Sequence, residues 1–220
     1  MIDLRPCSAY WFVATLFVLL TTGCAYESGS LDQHYSTFKV RAPGNNKVFV
    51  CSAYGCHIQT EFKFTQEDIA KVRSLMVEPK SGADPAGERV RIARTLAWME
   101  KRVGDVVGTS ADRPGDDFFG GGDPTQMDCV DVATNLTSYL LVLDSNGLIK
   151  HHTVGSVYVK EDLRKGFSGW THYAATLVER GTKQKYAVDG WLLASGVEPE
   201  IVKVERWYID DRDIALKASL

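Results

Sequence analysis

Cys129, in the stretch GGGDPTQMDCVDVATN, is the residue of this sequence best placed to do chemistry. Asp128 precedes it as a helix N-cap, and Asp131 stands three positions later to reach back, so the spacing makes Cys129 the first residue of a helix. Backbone amides at a helix start and the positive end of the helix dipole favour thiolate over thiol. The two neighbouring carboxylates oppose that effect. A nucleophile here therefore needs a histidine within reach and a third group to orient the histidine. Without them Cys129 is a small apolar residue opening a helix.

The chain offers five histidines. His34 falls in a polar N-terminal stretch and His57 beside a cysteine-bearing hairpin, whereas His151 and His152 sit at a helix-strand junction and His172 opens a strand. The strand HYAATLVE, residues 172–179, connects through Arg180-Gly181-Thr182-Lys183 to QKYAVDGWLL, residues 184–193. Gly181 comes first in a two-residue loop, as a type II′ hairpin turn prefers. With Arg180 opposite Lys183, Asp189 faces Ala174 and Trp191 faces His172. His172 and Asp189 are then diagonal neighbours on one face, about 7 to 8 Å apart between backbones and within side-chain reach. A register slip of one residue would send them to opposite faces. The structural alternatives are a strand-end histidine bonded to backbone and a turn or indole-accepting aspartate. A metal centre of Cys129 with His172 or His151 lacks zinc-like local spacing.

The elements that position these residues come after a segment set apart from the fold. MIDLRPCSAYWFVATLFVLLTTGC carries Arg5 and then an apolar run from Tyr10 to Leu20, too short to span a bilayer and typical of a signal peptide. Its end, Thr21-Thr22-Gly23-Cys24, resembles the bacterial lipobox, with Thr21 where that signal usually has leucine and Leu20 one residue earlier. The resemblance implies a signal peptide over 1–23, cleavage before Cys24 and a lipid on Cys24. Ala25 in place of the aspartate that retains lipoproteins on the inner membrane implies an outer-membrane anchor facing the periplasm. Residues 24–45 are polar and aperiodic and read as a flexible tether, with the domain over 46–212 and a tail over 213–220.

Export makes disulfides permissible. Of five cysteines, Cys7 leaves with the signal and Cys24 carries lipid. Cys51 and Cys56 sit in KVFVCSAYGCHIQTEFKF, where alternating apolar residues flank a connection from Ser52 to Gly55. Cross-strand partners there lie within disulfide reach. Two thiols or a metal pair is the rival reading. Cys129 is left alone, and a lone thiol in an oxidising compartment needs a reason.

Helices are expected over TQEDIAKVRSLM, capped by Thr65 with Asp68, and over ERVRIARTLAWMEKRVGDVVG, where Ile92, Leu96, Met99, Val103 and Val106 form a stripe. The helix from Cys129 places Ala133, Leu136, Leu140 and Leu143 on one face and stops at Asn146-Gly147. Strands are expected at 153–159, 172–179 and 184–193, with a further edge strand in EIVKVERWYI. Helices before antiparallel strands indicate an α+β fold. The loop TSADRPGDDFFGGGDPTQM carries Asp112, Asp116, Asp117 and Asp123, candidate calcium ligands that do not follow an EF-hand order and that read equally as a solvated loop. No other cofactor is indicated. A net charge of −3 gives no basic field, so nucleic acid is not an expected partner.

MDCVD at a helix start, THYAATL at a strand start and YAVDGW in the next strand resemble, in that order, the core of the transglutaminase-like cysteine peptidases of the papain-like superfamily. The likeness covers roughly residues 123–193. It implies a Cys-bearing helix packed on an antiparallel sheet, with the hairpin and two helices N-terminal to it. It also implies Cys129 as nucleophile, His172 as general base and acid, and Asp189 as the orienting carboxylate. The implied reaction is thiol hydrolysis or acyl transfer on peptide amides. The Cys129 amide, with the side chain of Gln126, would hold the oxyanion, although papain-like enzymes place their glutamine further upstream. The chain is also similar to a set of proteobacterial lipoproteins with a GC after the first hairpin and a QMDC box, a likeness that bears on fold and not on activity. Implied partners are a peptide or protein substrate, or an envelope protein bound by an inactive scaffold, together with the membrane through the lipid.

Overall fold

The computed structural model describes residues 25–77, 82–115, 120–161 and 171–209. The signal segment, Cys24, Asp116, Asp117 and the expected tail lie outside the described residues. In chain order the elements are β1 (Ala25–Glu27), α1 (Leu31–Thr37), β2 (Lys47–Ser52), β3 (Ile58–Lys63), α2 (Gln66–Met76), α3 (Pro85–Val107) and a 3-10 turn (Thr109–Ala111). Then come α4 (Cys129–Ser145), β4 (His152–Val154), β5 (Tyr158–Glu161), β6 (Thr171–Glu179), β7 (Lys185–Asp189), β8 (Glu200–Lys203) and α5 (Val204–Ile209). The class is α+β: an antiparallel sheet in the order β1-β5-β6-β7-β8, with β4 also on β6, and a separate β2-β3 hairpin.

Helix α4 is the centre of this arrangement, packed against β2 of the hairpin and against β6 and β7 of the large sheet. Its sequence shows one apolar stripe, yet every residue from Val130 to Leu140 is buried. A helix covered on all sides must satisfy its polar side chains internally. Thr134 and Thr137 donate back to the carbonyls of Val130 and Ala133, each at 2.7 Å. Asn135 accepts from the Cys51 amide at 2.7 Å and donates to the Cys51 carbonyl at 2.9 Å, filling both backbone valences of that residue as a neighbouring strand would. Polar pattern thus hides a buried face from a periodicity reading.

The capped helices form as their sequences direct. Thr65 and Asp68 make a reciprocal capping box on α2, and Asp68 accepts from Arg102 of α3 at 2.9 Å. Helix α3 begins earlier than its apolar stripe, because Asp84 caps it and Pro85 occupies its first position, where a missing N–H costs nothing. Ile92, Leu96, Met99 and Val103 are buried, but Val106 near the end of the helix is exposed.

Residues 25–45 are not a tether. Strand β1 pairs with β5 in the register Ala25↔Lys160, and Ser30 with Gln33 forms a capping box that starts α1. His34 and Tyr35 are buried against α4, His34 Nε2 donating to Thr134 Oγ1 at 2.9 Å and Tyr35 meeting Ser138 at 2.8 Å. A seven-residue helix has little stability alone, so its contacts with α4 rather than its own pattern create it. The folded unit includes the described residues from Ala25.

The expected strand over 153–159 is divided. Register steps from Val154↔Leu177 to Tyr158↔Ala174, so three residues of one strand oppose two of β6, a β-bulge at Gly155 to Val157. A Cβ on Gly155 would come within 3.0 Å of Val178 and 3.1 Å of Thr176, which is why glycine stands there. The C-terminal segment is also divided: β8 supplies the edge strand and α5 follows it instead of a longer strand.

Candidate active site

The start of α4 is built by the hairpin loop. Asp128 is the N-cap, and it exchanges bonds with Asp131 in a capping box as the sequence spacing predicts. Cys51 and Cys56 are disulfide-bonded with Cα atoms 4.5 Å apart, but Cys51 faces Gln59 across the hairpin and Cys56 lies in the loop after Ser52. They are not cross-strand partners. Four consecutive residues, Ala53, Tyr54, Gly55 and Cys56, have φ between 59° and 68°. Only glycine adopts this left-handed conformation without a steric cost.

That turn aims its backbone N–H groups at the two carboxylates. Tyr54 donates to Asp131 at 2.9 Å, Cys56 to Asp131 at 2.6 Å, and Gly55 to Asp128 at 2.9 Å. Successive amides gathered in this way form an anion-binding nest. Burial, followed by repulsion from Asp128, pushes Asp131 up to about 7 despite its backbone bonds. Much of the negative charge set against a thiolate at Cys129 is therefore hydrogen-bonded or neutralised.

The second half of the site comes from β6 and β7. Their register pairs Ala175 with Val188 and Val178 with Lys185, the alignment expected from the sequence. The turn differs: Glu179 and Gln184 close a four-residue loop, and Lys183, at φ 61°, is its left-handed residue rather than Gly181. A two-residue turn and a four-residue loop preserve the same pairings, so the functional consequence is unaffected. His172 Nε2 donates to Asp189 Oδ2 at 2.6 Å.

Two tryptophans frame this pair. The indole of Trp207 donates to Asp189 Oδ2 at 2.7 Å, and the backbone amide of Trp191 donates to Oδ1 at 3.1 Å. The His172 ring lies 4.7 Å from the Trp191 ring and 5.5 Å from the Trp207 ring, tilted 38° and 36°. Burial alone would raise Asp189, but the charge and hydrogen bond of His172, then the Trp207 and Trp191 donors, outweigh it and hold the carboxyl at about 2. Asp189 is therefore ionised and accepts three bonds. The sequence reading missed Trp207, since no periodicity links α5 to the hairpin.

Cys129 is half-buried at the start of α4, and its thiol donates to the carbonyl of Thr171 at 3.9 Å. Thr171 immediately precedes His172, so α4 and β6 bring the two candidate groups to one place. His172 Nδ1 is buried and has no hydrogen-bond partner among the described residues, so thiol and imidazole are not hydrogen-bonded to each other in this structure. Catalytic bonds are commonly long before substrate binds.

Gln126 does not join them. Its Nε2 donates to the carbonyl of Ala111 and to Thr125 Oγ1, both at 3.1 Å, and its Oε1 accepts from the Arg113 amide at 3.2 Å. With both amide hydrogens used, Gln126 pins the glycine-rich loop and is not an oxyanion donor. Asp112 accepts from the Met127 amide at 2.7 Å, whereas Asp123 accepts from the amide and hydroxyl of Thr125. These candidate calcium ligands serve separate stretches of backbone, and among the described residues no three potential metal ligands converge in this loop. Cys51, Cys56 and Asp131 do converge, but the sulfurs are bonded to each other and the carboxylate is taken by amides.

His152, which the sequence reading set aside, is fully buried. Its Nδ1 donates to Glu88 at 2.7 Å, Glu88 also accepts from the Lys150 and His151 amides, and Arg89 reaches both His152 and Glu179. This network ties α3 to β4 and β6. Comparison with protein families, with curated proteins and with solved structures finds no match to this chain.

Proposed function

We propose that the protein is a thiol hydrolase or acyl transferase of transglutaminase-like type, acting on peptide amide bonds at the bacterial envelope and anchored by lipid on Cys24. One observation carries this reading. His172 is oriented by an ionised Asp189 through Nε2, while its other nitrogen is buried and uncommitted next to the strand position that the Cys129 thiol touches. An imidazole so held is a base lacking only its substrate-side partner.

In the proposed reaction a small rotation of the thiol away from Thr171 lets its proton pass to His172 Nδ1. The thiolate attacks the amide carbonyl, forming a C–S bond and an oxyanion. The backbone amide of Cys129, outside the intrahelical ladder, would hold that charge. His172 returns the proton to the departing nitrogen as the C–N bond breaks, leaving a thioester. Water or a second amine, deprotonated by His172, then releases the acyl group and restores the thiol.

A second reading, an inactive envelope lipoprotein that uses this fold as a binding scaffold, draws on the orientation of the thiol toward a carbonyl rather than toward the imidazole. The pH dependence of iodoacetamide labelling separates the two. The first reading expects Cys129 in the wild type to react with a midpoint well below about 8.5, returning toward about 8.5 in His172→Ala. An unperturbed midpoint in both proteins would overturn it.

A further inference from the structure

The far end of α4 borders a cavity of about 540 Å³, unconnected with the thiol chemistry. Gly147 and Leu148 line it just beyond the C-terminal end of the helix, so roughly 25 Å of helix separates it from Cys129. Its volume lies within the usual range for small-molecule sites.

Its walls set three cationic side chains over an apolar floor. Arg73 of α2, Arg91 of α3 and Lys150 after α4 line it, against a single carboxylate among the described residues, Glu88. That carboxylate is already occupied by the Lys150 and His151 amides and by His152, which outweigh its burial and keep its pKa low. Among the described residues no carboxylate forms an ion pair with Arg73, Arg91 or Lys150. Arg91 is only 8 % exposed, donates one N–H to the Gly82 carbonyl, and leaves Nε buried with no hydrogen-bond partner among the described residues. A buried guanidinium donor without an acceptor is costly, and the same Arg91 side chain forms part of the cavity wall.

We infer that this cavity binds a small organic anion, its carboxylate or phosphate group held by Arg91, Arg73 and Lys150 and its apolar body resting on Met76, Val77 and Leu148. Arginine suits the role because its planar fork matches the oxygens of either group. The site is independent of the proposed thiol activity.

Titration calorimetry of the full chain with phenyl phosphate and with benzoate tests the inference, with phenol as the uncharged control. Saturable binding of one or both anions, absent for phenol and at least ten-fold weaker in Arg91→Gln, is the expected result. The tighter of the two anions identifies the headgroup. Arg73 and Lys150 are exposed and outside the core, so Arg73→Gln and Lys150→Gln keep the test decisive if Arg91→Gln fails to fold. Saturable binding of neither anion by the wild type, or equal affinities in the Arg73 and Lys150 variants, would overturn the site.

Discussion

His172 and Asp189 are joined across adjacent strands by a 2.6 Å hydrogen bond, and both partners are largely withdrawn from solvent. Their meeting depends on strand register alone, since the two residues are diagonal neighbours on one face of the sheet. Trp207 then closes the pair from a helix that no local pattern connects to it. A charge-assisted bond in such surroundings contributes more than a surface ion pair, and its loss is correspondingly measurable.

Replacing Asp189 with alanine should cost about 3 kcal/mol in urea unfolding near pH 6, because it strands the His172 and Trp207 donors in a buried setting. The carboxyl is held at about 2, below its unfolded value. Its contribution is therefore complete above about pH 4 and is lost as pH falls toward 2. The stability gap between wild type and Asp189→Ala should close over that interval. A gap that stays constant down to pH 2 would show that packing, not ionisation, is responsible.

Trp207→Phe keeps an aromatic ring against His172 but removes the indole donor. A loss of about 1 kcal/mol is expected for that single bond. Trp207→Ala removes the ring as well and should lose about 3 kcal/mol. Equal losses in the two variants would mean that the indole N–H, rather than ring burial, accounts for the whole effect.

How far the sequence exposed this site follows from the range of the forces involved. Capping at Asp128 and Asp131 is local, so residue type and spacing sufficed to place Cys129 at a helix start. The His172 and Asp189 register survived a wrong turn type, because a four-residue loop keeps the pairings of a two-residue one. Gln126 misled because an amide side chain has no periodicity, and only its three tertiary bonds show that it is structural. Helix α1 was missed for the same reason: its apolar side is stabilised by α4, which lies about a hundred residues further along the chain. The disulfide partners were correctly identified while their geometry was not, since nothing in AYGC announces four left-handed residues.

Burial raises Asp112 and Glu100 to about 7, and Glu100 adds to the shift of Asp112 by repulsion. The folded state then holds protons that the unfolded chain releases. Both groups therefore weaken the fold above pH 7 and relieve it as pH falls toward about 4. Each of the two should add about 2 kcal/mol of stability between pH 8 and pH 5, with Asp131 acting in the same sense and His34, held at about 4 by burial, opposing it below about pH 6.5. Thermal unfolding of Asp112→Asn and Glu100→Gln should show a flatter dependence over pH 5 to 8. An unchanged slope in both would remove these carboxyls as its source.

The disulfide has a second role besides closing a short loop. Loop closure accounts for about 2 kcal/mol. The bond also holds Tyr54, Gly55 and Cys56 in a left-handed turn that costs roughly 1 kcal/mol for each residue with a side chain. Only in that turn do their amides reach Asp128 and Asp131 and fix the first turn of α4. Removing the bond in a Cys51→Ala, Cys56→Ala double variant should let the turn relax. Hydrogen exchange at residues 54–56 should then accelerate at least ten-fold, with faster exchange in the first turn of α4, while the amides of β6 and β7 move only with global stability. If residues 54–56 keep their protection, the two carboxylates alone organise the turn. Cys129 would then be positioned independently of the redox state of its neighbours.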